Sequence, residues 1–162
     1  MMNGNSQSSS LWGSVQGLVV WAIGMSEKTP AWIYQLAMRV AIGMVFWQSA
    51  RTKVEGVLTL KQSTFFLFQY EYDLPLIPAD IAAYMATYAE TIFAILLIVG
   101  LATRFAAVSL FVMTLVIQIF VYPQAWVVHL SWMAILAYLM ARGAGLFSVD
   151  HWLKKAFISQ KM

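Results

Sequence analysis

Glu90 stands near the middle of the apolar stretch Ala79–Leu101, and no other acidic residue lies inside a hydrophobic span. About 20 apolar residues cross the hydrocarbon core of a bilayer, and a carboxylate at mid-depth costs about 2.5–3.5 kcal/mol unless it is neutralised or paired. Glu90 therefore needs a partner. Arg39 lies in the preceding apolar stretch, about 12 Å from one end of it; Glu90 lies about 16 Å from the same side at the helical rise per residue. An Arg39–Glu90 ion pair between adjacent antiparallel helices is the expectation, with Thr87 and Thr91 on Glu90's helical face as further hydrogen-bond donors. Gly43, one turn after Arg39, permits close helix approach. Such a pair could only fix helix register, or Glu90 could carry protons or hold a ligand. Glu90 and Arg39 are thus the candidate catalytic residues, and whether the chain is catalytic stays open.

A second polar layer is expected nearer the opposite surface. Gln48, Gln118 and His129 fall within two turns of it, with Arg51, Lys53 and Tyr122 close by. Gln48, Lys53, Gln118 and His129 could ring a shallow cavity for the head group of a quinone or another small amphiphile. His129, the one histidine inside a span, could donate to a quinone carbonyl, relay a proton or simply bond a neighbouring helix. Bis-histidine haem needs two axial ligands at similar depth, and His151 lies beyond the last span. One histidine among scattered methionines is below any metal-ligand spacing, so no metal site is expected. The absence of cysteine excludes disulfides, thiolate metal sites and thiol redox chemistry.

These residues must be positioned by helices in lipid. Hydrophobic residues make up 61% of the 162-residue chain and charged ones only 10%, against about 25% in soluble domains. Mean hydropathy is +0.72. Abundant Trp, Tyr and Phe suit helices that end in aromatic belts. The net charge of +3 comes from few residues and calls for no nucleic acid. An all-α integral membrane protein is expected.

The polar, Ser- and Asn-rich start leads into Leu11–Met25, apolar but about 15 residues long and too short to span comfortably. Trp12, Val15, Leu18, Val19 and Ala22 share a helical face, which predicts an interfacial helix lying on the membrane within a leading segment 1–30. Four spans follow, at about 31–50, 79–101, 105–122 and 126–141, within a domain 31–142. The long loop 52–78 is dense in aromatics, and Glu71 and Asp73 forbid a span there. It is expected to be re-entrant or to lie on the surface. Residues 143–162 form a tail with an amphipathic start. Two short connections make the spans an antiparallel four-transmembrane-helix bundle.

Orientation follows from the basic residues. Lys28, Arg104, Arg142, Lys154, Lys155 and Lys161 would lie on one side, and Arg51, Lys53 and Lys61 on the other. Both termini are therefore expected in the cytoplasm, with the aromatic loop outside a bacterial inner membrane.

Several motifs in order resemble the DoxX family of small four-span membrane proteins. They are R-x-x-x-G (Arg39, Gly43), S-x-x-x-K (Ser49, Lys53), A-E (Ala89, Glu90) running into Val99–Arg104, and an ending similar to G-x-G-x-x-S-x-D (Gly143, Gly145, Ser148, Asp150). The resemblance runs from about Ile33 to Leu153. The loop TFFLFQYEYDLPLIP and the segment VIQIFVYPQAW look like a branch associated with operons for modified, copper-binding peptides. That resemblance implies an accessory membrane protein in copper-peptide maturation or in copper and oxidative-stress protection, partnered by a peptide-modifying enzyme or redox complex. The wider family implies the alternative, a quinone-linked subunit of an oxidoreductase. Homo-oligomers are possible in either case, and no catalytic residue carries over.

Overall fold

The computed structural model describes residues 5–159 and is helical almost throughout. Helix α1 (Asn5–Lys28) is longer than the 11–25 segment expected, and it exposes Trp12, Val15, Leu18 and Val19. It exposes Val20, Trp21 and Ile23 as well, so apolar surface extends round the helix rather than forming one stripe.

Pro30, with φ −62°, opens α2 (Ala31–Lys53), since its ring is already set for a helix start and lacks the N–H a helix interior would need. The helix runs one turn past the expected 50 and carries Arg51 and Lys53 as helical residues. Val54 then turns extended and opens a miniature hairpin, β1 (Val54–Glu55) against β2 (Thr59–Leu60), in register Val54↔Leu60 and Glu55↔Thr59. Gly56, at φ +66°, makes its turn in the left-handed region. Two-residue strands leave no alternation to read, so the sequence carried no sign of this hairpin.

The aromatic segment folds as α3 (Gln62–Leu67) and a π-helical turn, π1 (Phe68–Tyr72), stopped by left-handed Asp73. Phe68 is buried with Val54, Leu60, Ala82 and Ala83, so the segment closes over one end of the helix pair. Helix α4 (Ala79–Val99) ends in a Schellman cap: Leu101 N–H bonds the Leu96 carbonyl at 2.9 Å and Gly100, at φ +74°, bonds Leu97 at 3.2 Å. Helix α5 (Thr103–Val116) continues into a second π-helical turn, π2 (Ile117–Val121), before Pro123. Then come α6 (Trp126–Arg142) and, beyond a glycine-containing loop, α7 (Val149–Ser159).

Helices α2, α4, α5 and α6 form a closed ring of neighbours, each packed on the next. Their shared core is Ile42 and Phe46 from α2, Ala94 and Leu97 from α4, Ala106, Ala107 and Leu110 from α5, and Leu136 and Leu139 from α6. Small residues let backbones approach closely. A Cβ on Gly43 would sit 2.7 Å from Ile98 Cγ1 and 3.2 Å from the Ala94 carbonyl. Among the described residues, two helices are long and apolar enough to cross a membrane, Ala79–Val99 and Thr103–Val121. Trp126–Arg142 is apolar but shorter, and α2 has the length but carries Arg39, Arg51 and Lys53.

Candidate functional site

The register of α2 on α4 decides which charges meet. Gly43 lies against Ala94 and Ile98, and the Arg39 guanidinium lies against Gly100. Arg39 is therefore level with the end of α4, ten residues beyond Glu90, or about 15 Å at the helical rise. The expected Arg39–Glu90 pair does not form. Similar distances from the span ends bring the two residues level only where those ends coincide, and α2 overhangs α4.

Lys53 takes the place assigned to Arg39. Its Nζ lies 2.7 and 3.0 Å from the two Glu90 carboxylate oxygens, with both side chains about 5% exposed or less. Nζ also donates to Ser49 Oγ at 2.8 Å, one turn earlier on the same helix face. The S-x-x-x-K spacing thus places a hydroxyl and an ammonium side by side over the carboxylate. A lysine has three N–H groups to give, and here two oxygens of one carboxylate and a hydroxyl receive them. The aromatic segment roofs this centre. The Lys53 carbonyl accepts from Lys61 N–H at 3.0 Å and from Thr64 Oγ1 at 2.7 Å, which fastens α3 directly above the ion pair. Thr87 and Thr91 were expected to bond Glu90; instead Thr91 donates to the Thr87 carbonyl at 2.8 Å, and buried Thr87 Oγ1 has no partner among the described residues.

Arg39, 1% exposed, serves a different end of the bundle. Its Nη1 and Nη2 donate to the carbonyls of Ala144 and Phe147 at 2.9 and 2.8 Å. Asp150 completes the clasp: its carboxylate accepts from Ala102 N–H at 2.7 Å and Thr103 N–H at 2.9 Å, capping α5, while its own N–H bonds the Gly100 carbonyl at 2.9 Å. Ser148 Oγ donates to the Gly145 carbonyl and accepts from His151 N–H, which starts α7. The G-x-G-x-x-S-x-D ending is therefore the knot that ties α2, the α4–α5 turn and the post-α6 loop together.

The supposed quinone layer divides. Gln118 and His129, 2% and 4% exposed, meet at 2.7 Å between Oε1 and Nδ1. Gln118 Nε2 donates to the Pro123 carbonyl at 2.9 Å, which fixes the amide orientation. Its Oε1 must then accept, so neutral His129 carries its proton on Nδ1 and keeps Nε2 as the lone-pair nitrogen. Lys53 is engaged with Glu90, and Gln48 is exposed on the outside of α2, so neither joins Gln118 and His129. Nearby, Tyr122 donates to Glu71 and its ring meets Tyr72 edge-on at 5.8 Å, binding π1 to π2. The Glu71 carboxylate accepting its O–H, and then partial burial, hold the Tyr122 hydroxyl above the ordinary tyrosine range. Burial likewise raises Tyr72.

Sequence reasoning missed the Lys53–Glu90 pair and the work of Asp150. The first had a usable signal, because Lys53 follows Ser49 by four residues at the end of the helix that carries Arg39. The second had none beyond the family-like ending.

A family model described as DoxX matches residues 34–123. The match covers the Lys53–Glu90 centre, its roof and Gln118, and stops short of His129 and the Asp150 clasp. The chain is also similar to an uncharacterized protein of Haemophilus influenzae, at 31% identity over 132 residues, covering 75% of this chain and 84% of that one. No solved structure matches. With its apolar helices, the chain is a membrane protein, and it belongs to the DoxX family.

Proposed function

We propose that this chain is a four-span accessory protein of the bacterial inner membrane, with both termini in the cytoplasm. In this role it supports the maturation of a copper-binding modified peptide, or copper and oxidative-stress protection, by holding a partner at the membrane. The observation that carries the reading is the closed arrangement at Glu90: both carboxylate oxygens are taken by Lys53 beneath the roof of α3. A buried pair satisfied in this way sets helix register, the best-attested use of such pairs. Arg39 is equally committed to backbone carbonyls.

The topology draws support from the free charges. Lys53 is consumed by Glu90, and Arg51 donates to the carbonyls of Gly56 and Val57, so the roofed end offers few free cations. Arg104, Arg142, Lys154 and Lys155 gather at the other end, as expected of a cytoplasmic face. Exposed α1, apolar on more than one face, would then contact lipid.

The quinone-linked alternative rests on Gln118 and His129. Neutral His129 offers Nε2 as an acceptor, which suits a quinol hydroxyl and not a quinone carbonyl. Cells producing the double variant Lys53→Met/Glu90→Leu test the choice. The accessory role expects copper tolerance and partner co-purification to stay near wild type once the variant is shown to fold. Loss of both functions in a folded double variant overturns it. A near-stoichiometric quinone or quinol in an organic extract of the purified chain, lost in His129→Ala, would favour the alternative.

A further inference from the structure

The clasp end carries a groove that none of the foregoing uses. Its volume is about 990 Å³, and Arg104, Arg142 and Lys154 line it with Gln35 and Thr103. Asp150 also lines it, but its two oxygens already accept from Ala102 and Thr103 N–H, so its charge is directed into the α5 cap. The cations are less committed. Arg104 gives one N–H to the Ala141 carbonyl at 3.3 Å, and the Arg142 and Lys154 side chains make no hydrogen bond or ion pair among the described residues.

We propose that this groove binds the phosphate of an anionic phospholipid headgroup. Two guanidinium forks and an ammonium make the donor set that phosphate oxygens require. The flanking surface points to lipid in preference to a soluble anion: Phe105 and Phe147 are 63% and 60% exposed beside the groove, where acyl chains would cover them. Basic pockets between helices at a cytoplasmic membrane face hold anionic headgroups by this chemistry. The inference is independent of the accessory role and rests only on the chain's residence in a bilayer.

Native mass spectrometry of the full chain in detergent, titrated separately with phosphatidylglycerol, phosphatidylcholine and inorganic phosphate, tests it. Phosphatidylglycerol is expected to bind about tenfold more tightly than phosphatidylcholine, with no displacement by millimolar inorganic phosphate. The triple variant Arg104→Gln/Arg142→Gln/Lys154→Gln, all at exposed positions, should lose that preference while melting as wild type does. Lys61→Gln, at the roofed end, should keep the preference. Equal binding of the two lipids, or a folded triple variant that retains the preference, overturns the proposal. Displacement of the lipid by inorganic phosphate overturns the lipid assignment in favour of a soluble anion.

Discussion

Arg39 Nη1 lies where a side chain on Gly100 would have to be: a Cβ built there would sit 2.0 Å from it. Gly100 is also at φ +74°, a conformation that side chains adopt only with strain. The α4 cap and the Arg39 clasp therefore share one requirement, the absence of a side chain. Gly100→Ala is expected to destabilise the protein by at least about 2 kcal/mol, combining backbone strain with displacement of a buried guanidinium. Thermal unfolding in detergent checks this, and an unchanged melting temperature would contradict the clasp.

Asp150→Ala removes the acceptor for two α5 N–H groups at once. Loss of such a cap costs about 1–2 kcal/mol. Hydrogen exchange should accelerate at Ala102 and Thr103, with little change at the roofed end of α4. Protection unchanged at those two amides would contradict the assigned role.

His129 should be recognisable by its protonation pattern. In chain labelled with nitrogen-15 histidine, one ring is expected with its proton on Nδ1 and a lone-pair Nε2, and Gln118→Leu should abolish that preference. Gln118→Leu also leaves a buried donor unpaired, at a cost of about 1–3 kcal/mol. The opposite tautomer in the wild-type chain would contradict the Pro123–Gln118–His129 relay.

The Tyr122–Glu71 contact gives a pH dependence with a definite sign. The Tyr122 value is raised in the folded chain, so its neutral form is the favoured one. Its stabilisation is fully present below the unfolded tyrosine value of about 10 and is lost as pH rises through the higher folded value. In an alkaline titration followed by tyrosinate absorbance, one tyrosine is expected to ionise later than the exposed ones. Tyr122→Phe should remove the alkaline step and cost no more than about 1 kcal/mol, because the residue is partly exposed. An alkaline step that persists in Tyr122→Phe would assign it elsewhere.

The helices were legible because each apolar stretch ends at a charge, a proline or a glycine; Pro30, Pro78 and Gly143 mark boundaries that the structure keeps to within a residue. Glu90 was legible as a residue that needs a partner, since a lone carboxylate in an apolar stretch demands one. Its partner was not. That depends on the overhang of α2 past α4, fixed by Gly43 fitting beneath Ile98, which is tertiary packing with no trace in either stretch alone. The aromatic segment had the composition of a surface-lying loop, yet it is pinned by two bonds to the Lys53 carbonyl, by buried Phe68 and by the Tyr122–Glu71 contact, and composition cannot foretell these. Gln48 shows the same limit: its helical face was assigned by depth, and rotation about the helix axis turned it outward.

Lys53 and Glu90 form a mutually dependent structural pair, and a double-mutant cycle on unfolding free energy measures that dependence. Lys53→Met and Glu90→Leu are each expected to cost about 3–5 kcal/mol, because each leaves the other charge buried without its partner. The double variant Lys53→Met/Glu90→Leu should recover most of that loss and unfold near wild type. Losses that simply add in the double variant would show that the two residues do not depend on each other.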